Sequence, residues 1–307
     1  MQILTNQGSN LSQGVIDRYG VYLLPQHLSV DGVQKPSADV MSLSQVVEWV
    51  ESAKERPHVL GTSAAETLTG ISPALKREGD ILVVNSSAKI IPSYDAAVRA
   101  RETLGQRKPE DAARIFVEDT GTTDVGAGLA VILAGEMHRA GHSTAAIVKE
   151  IERYCTLAVS VFHVMDLDYP KKSSSAQHLR VIVGKLLQRR PIVKFIEGVP
   201  TPKGTIHRDT PPQEAMLKEV TLPDENMPVW IAVAHGMDPS RADGIVAACR
   251  ERFDVRYAYV RELSPSIFLT AGPGATILTV YASPILGELP KPPTFSQPWQ
   301  PTTDGPT

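Results

Sequence analysis

Ile81-Leu82-Val83-Val84-Asn85 is a short apolar run, strand-like in its length and its β-branched content. A helical stripe follows Tyr94, a second run of the same kind spans Arg114 to Asp119, and another helix follows Asp124. Working outward toward the start, Ile3 to Thr5 and Tyr22 to Leu28 are further strand-like runs. Helices separate them. Ser42 and Gln45 make a capping-box pattern ahead of Leu43, Val46, Val47 and Val50, which share one helical face, and a helix runs from Thr62 through Leu68, Ile71 and Leu75. Such strand-helix alternation predicts a mainly parallel sheet with helices on both faces, so the fold class is α/β and the first domain spans residues 1–157.

Toward the other end, a helix from Ser143 buries Ile147, Ile151 and Tyr154 and exposes Lys149, Glu150, Glu152 and Arg153. Leu157 to Val164 then reads as a strand, Ala176 to Leu187 as a helix, and Ile192 to Ile206 as a hairpin turning near Gly198 or at Pro202 to Gly204. Thr210-Pro211 and Asp238-Pro239 each mark a helix start. In the second of these helices Ala242, Ile245, Val246, Cys249 and Phe253 share a face, which makes Cys249 a core residue rather than a nucleophile. Val229 to Ala234, Val255 to Val260 and Ala275 to Ala282 complete a second, smaller α/β domain with a mixed sheet, residues 158–282. From Ser283 onward the chain is Pro-rich. Such a tail, 283–307, builds no core and prefers extended conformations. It reads either as disordered or as a docking segment anchored by Phe295 and Trp299.

With 307 residues there is chain enough for two cores. Thirty-one basic residues against 34 acidic ones give a net charge of −3, so no basic footprint for nucleic acid exists. Cys155 and Cys249 are too few for a disulfide framework. No window approaches the roughly 18–20 apolar residues of a membrane span, and Met1-Gln2-Ile3-Leu4-Thr5 lacks the features of a signal peptide. A cytoplasmic protein is the expectation.

Most motifs that suggest chemistry fail on their context. Gly126-Ala127-Gly128 opens a helix after a strand, but Val131 stands where a dinucleotide fingerprint needs its third glycine, so close helix packing is the reading. Gly61-Thr62-Ser63-Ala64-Ala65 lacks the final glycine of a nucleophile elbow. His138 and His142 have no glutamate between them, and Asp166 and Asp168 read as loop caps rather than metal ligands. What remains is a set of hydroxyl-rich loops: Thr62-Ser63, Ser86-Ser87, Ser173-Ser174-Ser175 and Thr270. Ligands of α/β sheets collect at such strand ends.

The order and spacing of these loops resemble the DegV family of bacterial lipid-binding proteins. Ile3-Leu4-Thr5-Asn6 with Leu11 resembles its opening, with Asn where Asp is usual. Tyr19-Gly20, Tyr22 to Leu28 and Asp31-Gly32 follow in its order, as do Thr62-Ser63, Ser86-Ser87 with Tyr94, and Gly126-Ala127-Gly128. Asp166-Leu167-Asp168-Tyr169 and Gly272-Pro273-Gly274 match its later signatures. The resemblance covers about residues 1–282 and implies two α/β domains with a fatty acid in a tunnel between them. It implies a carboxylate met by the hydroxyls of Thr62, Ser63, Ser86 and Ser87, by a histidine before the Gly-Pro-Gly turn, and by a nearby basic residue.

This chain departs from that pattern at several places. Thr270 replaces the histidine, Ser173 to Ser175 replace a glycine pair and an arginine, and the second serine loop continues into Lys89, Ile90 and Ile91. Either Lys89 substitutes as the counter-charge or the ligand is a neutral, hydroxyl-bonded lipid. The reading is therefore a non-enzymatic carrier of a fatty acid or related lipid, with no cofactor and no metal. The resemblance implies a fatty acid kinase as a protein partner. A DegV-like adaptor subunit working through its Pro-rich tail, and a hydrolase or transferase using Ser63 or Ser87, are the alternatives.

Overall fold

The computed structural model describes residues 1–37, 42–55, 57–167, 169 and 188–295. The expected helix 176–187, Asp168, Ser173 to Ser175 and Trp299 lie outside the described residues.

Strands β1 (Gln2–Asn6) and β2 (Tyr22–Leu24) pair in parallel. The run expected as one strand from Tyr22 to Leu28 is in fact two, because Pro25 has no N–H to continue a ladder. After it the chain turns into β3 (His27–Val30), which joins β4 (Val33–Pro36) and β5 (His58–Leu60) in a separate antiparallel sheet. Strands β6 (Ile81–Asn85) and β7 (Ile115–Asp119) complete the parallel sheet in the order β2-β1-β6-β7. Both of its faces are buried. Leu82 and Val84 point to the middle of the molecule, while Ile81 and Val83 pack with Ile71, Ala74 and Ala97 of helices Ala64–Leu75 and Ser93–Gly105. That two-sided burial is why β6 reads as an unbroken apolar run.

The second sheet contains β8 (Val159–His163), β9 (Arg189–Ile196), β10 (Val199–His207), β11 (Val229–His235), β12 (Val255–Glu262) and β13 (Thr276–Ala282). Its order is β10-β9-β8-β13-β11-β12, with only β11 and β12 parallel. Six strands make it the larger sheet, where a smaller one was expected. The β9–β10 hairpin accounts for the difference. It turns at Glu197-Gly198, whose φ values of 50° and 77° are those of a two-residue hairpin turn, and Pro202 to Gly204 carries a register shift instead. Helices Gln213–Lys218 and Pro239–Arg252 cover its outer face. The first starts at Gln213 with Pro212 as its N-cap, rather than at Pro211 with Thr210 as cap, since Pro212 keeps Pro211 out of the helical region.

Between the two sheets lies the helix Val125–Arg139, buried from Val125 to Met137, beside Thr144–Leu157. The expected boundary at 157/158 falls between the latter helix and β8. Here the glycine pair does packing work: a Cβ on Gly126 would sit 2.6 Å from the hydroxyls of Thr122 and Thr279, and one on Gly128 would sit 2.4 Å from the Ser9 carbonyl. The start of the Pro-rich tail is also structural. Helix Ile285–Glu288 carries Leu286, which is buried with Leu289 in the central core, and Phe295 stacks edge-on to Tyr19 at 6.3 Å. The expectation that little apolar surface of the tail packs on the body is thereby corrected.

Candidate functional site

At its carboxyl edge the parallel sheet turns polar. Strand β1 ends in Thr5 and Asn6, and β6 ends in Asn85 and leads into Ser86; all four are buried. Thr5 pairs with Val84, so one step further Asn6 and Asn85 stand at the same edge. Gln26, in the turn after β2, reaches it as well, because a Cβ on Gly8 would meet Asn6 Oδ1 at 2.9 Å and Gln26 Nε2 at 3.0 Å. Thr5 Oγ1, both side-chain atoms of Asn6, Gln26 Oε1, Asn85 Oδ1 and Ser86 Oγ have no hydrogen-bond partner in the protein. A buried polar atom left unpaired costs about 1–3 kcal/mol. Several of them at one sheet edge mark a place built to meet something else.

Thr62 and Ser63 stand over this edge at the start of helix Ala64–Leu75. Thr62 Oγ1 donates to the Pro25 carbonyl at 2.7 Å, and its N–H donates to Ser93 Oγ at 3.1 Å, which ties the helix to the loop after β2 and to the next helix. Ser63 is the N-cap: its Oγ accepts from Glu66 N and donates to Glu66 Oε2 at 2.7 Å, while Glu66 Oε2 accepts from Ser63 N. His27 Nε2 lies 2.6 Å from Glu66 Oε1. This sets the acid between serine and histidine, the wrong order for a hydroxyl activated by an imidazole. Burial would raise the Glu66 pKa, but its bonds to Ser63 and His27 outweigh that and lower it.

Ser86 and Ser87 divide their work. Ser86 keeps an unpartnered buried hydroxyl, whereas Ser87 Oγ donates to the Gly198 carbonyl at 2.8 Å and accepts from Lys89 N at 3.2 Å. Through Ser87 the loop after β6 is joined to the β9–β10 turn, so the two sheets meet here. Lys89 is exposed. Its charge acts on Asp119, which accepts from Ala88 N and Gly121 N and whose pKa burial nevertheless raises. Thr270 donates to its own helix, to Ile267 O at 2.8 Å. That helix, Pro265–Ala271, packs on Leu43–Ser52. The structure therefore engages Thr62, Ser63, Ser87 and Thr270 in bonds within the protein and leaves the Ser86 hydroxyl unpartnered.

Thr5, Asn6, Gln26 and Asn85 were not nominated by motif. Their signal was a polar residue closing a run otherwise buried on both faces. Elsewhere, Cys249 is buried with its thiol pushed up to about 12, which fits the core reading. Among the described residues no group of His, Cys, Asp and Glu is arranged to hold a metal, and no helix is long and apolar enough to cross a membrane.

Comparison with known proteins gives a consistent result. The model of the DegV family, a family of uncharacterised proteins, matches residues 1–283. A DegV domain-containing protein of Deinococcus radiodurans is 28% identical over 191 residues, 62% of this chain and 66% of that protein. One from Mycobacterium tuberculosis is 24% identical over 295 residues, 92% of this chain and 98% of that protein. Among solved structures, a DegV family protein of Thermus thermophilus, described for its fatty acid binding, superposes with a TM-score of 0.78 at 21% identity, covering 92% of this chain and 99% of that one. A stearic acid-binding protein of Eubacterium ventriosum also reaches 0.78, at 17% identity, covering 92% and 98%. At such identities the structural likeness establishes the shared fold.

Proposed function

The chain belongs to the DegV family, and from that premise we propose that it binds a long-chain fatty acid or related lipid without changing it chemically. The head group lies at the carboxyl edge of the parallel sheet, against Ser86 and the loop that Thr62 holds, and the acyl chain runs in a tunnel between the two sheet layers. One observation carries this reading: buried polar side chains without partners are gathered at the edge where α/β sheets receive ligands. Ser63 and Ser87 shape the surrounding loops, Lys89 stands at the rim, and Thr270 is bonded within its own helix, which packs on Leu43–Ser52. The fatty acid binding described for the Thermus protein and the stearic acid of the Eubacterium one support the ligand class.

Native mass spectrometry of protein purified from a bacterial host, before and after lipid extraction, tests it. A near-stoichiometric amphiphile that leaves on extraction is expected, because each buried CH₂ contributes about 0.8 kcal/mol to retention. Identical masses and melting temperatures before and after extraction would overturn it.

A further inference from the structure

On the outer face of the second sheet, strand register lines up three polar side chains. His163 of β8 stands opposite Thr276 of β13, which stands opposite His235 of β11. Val161 and Val233, two residues earlier in their strands, lie in one apolar cluster with Met216 and Ala242 of the outer helices, so strand alternation sends all three polar side chains to that face. The Thr276 hydroxyl accordingly reaches Met216 Sδ at 3.6 Å. His163, 1% exposed, has no hydrogen-bond partner at either ring nitrogen, and His235, 8% exposed, has none at Nδ1. Buried nitrogens left bare in this way call for a cause that the packing does not supply.

A pocket of about 480 Å³ opens over this row, lined by Met165, by the loop from Arg208 to Gln213 and by the first turns of helix Pro239–Arg252. Met165 is two residues beyond His163 and Asp238 three beyond His235, which places the buried imidazoles at its floor. The hydrogen-bonding capacity left in the pocket is donating. Asp238 accepts from Ser240 Oγ, Arg241 N and Arg241 Nε, and Asp209 lies 3.5 Å from Arg208 Nε and 3.4 Å from His207 Nδ1. Each arginine thus meets its acid through Nε, and the terminal nitrogens of Arg208 and Arg241 donate to none of the described residues. Arg190 Nε donates to the Met165 carbonyl, and the charges of Arg190 and Arg241 both act on His163. Guanidinium forks beside a helix start suit an oxyanion. We propose that this pocket is a second ligand site, which takes a small phosphomonoester with its phosphate between Arg208 and Arg241. The volume exceeds that of a bare phosphate and falls in the range of small-molecule sites, and Met165, Pro211, Pro212 and Gly244 offer walls for the organic part. The site is on the sheet face turned away from the central helix Val125–Arg139, so it does not rest on the lipid-binding reading.

Isothermal titration calorimetry on the full chain tests this, with phenyl phosphate and inorganic phosphate as probes in about 0.15 M chloride, which screens loose surface pairing. One phenyl phosphate per chain is expected, bound about tenfold more tightly than inorganic phosphate. Arg208→Gln, at a half-exposed side chain, should weaken it about tenfold. A Cβ on Gly244 would meet nothing outside its own helix closer than Gln213 Nε2 at 4.0 Å, so Gly244→Leu should fill the pocket and abolish binding. Its melting temperature should hold or rise, because leucine favours a helix over glycine. Lipid content by native mass spectrometry should be the same in both variants as in the wild type. Absence of saturable phenyl phosphate binding in the wild type, or binding that both variants leave intact, overturns the site. Inorganic phosphate bound as tightly as phenyl phosphate overturns the phosphomonoester assignment.

Discussion

The buried hydroxyl of Thr62 donates to the carbonyl of Pro25 at 2.7 Å, at the point where the chain leaves the parallel sheet for the small one. Thr62→Val keeps the shape and strands that carbonyl, so we expect a loss of about 1–3 kcal/mol in a denaturant melt together with weaker lipid retention. Lys89→Met should leave the melt unchanged, because Lys89 is exposed, and it should spare binding in displacement assays. Abolished binding in the lysine variant alone would place an anionic head group at the rim. Cys155, half-buried and pushed up to about 11, and Cys249, at about 12, should both react slowly with a maleimide at pH 7.5 in the folded protein and rapidly once it is denatured.

At the scale of single elements, the caps were legible because each is a local sentence of side chain and backbone. Ser42, Asp124, Ser143 and Asp238 all cap helices where the residues suggested, whereas the helix expected to follow Thr62 is capped by Ser63 and starts at Ala64. Ser63→Ala removes the two bonds that the Ser63 hydroxyl makes with Glu66 and keeps the one from its backbone N–H, and the expected cost is about 1 kcal/mol, visible as a fall of a few degrees in melting temperature. Other features were hidden by the limits of local reading. An apolar run does not say that Pro25 splits it between two sheets, and the polar residues closing β1 and β6 look like strand ends until the register sets Asn6 and Asn85 together. Gln26 joins them only through a contact across the turn at Gly8, which no spacing rule contains.

For the molecule as a whole, both the tail and the pH response follow from burial. Cutting the chain after Ser283 removes Leu286 and Leu289 from the central core, so the melting temperature should fall clearly; Leu286→Ala alone should cost about 2–5 kcal/mol. Two buried groups then shape the pH profile in opposite senses. His163 is depressed to about 3 by burial, with Arg241 and Arg190 adding to it, so its contribution is present above its ordinary 6.5 and is lost as pH falls toward 3. Glu118 is raised to about 7, chiefly by burial and then by Glu152, so its contribution is present below its ordinary 4.5 and is lost as pH rises through 7. Between 4.5 and 6.5 the two oppose each other, and a steeper loss of stability is expected below 4.5, where only His163 still titrates. His163→Gln should flatten that acid limb in urea titrations.

The buried helix Val125–Arg139 has a consequence for how the protein is made. Its apolar side chains face two sheets, but only the first exists when it leaves the ribosome, since β8 to β13 are still to be translated. At about 5–20 residues per second the nascent chain carries that uncovered surface for roughly 10–30 s. Residues 1–157 expressed alone should therefore precipitate or bind a hydrophobic dye strongly, and synthesis of the whole chain should depend on chaperone capacity.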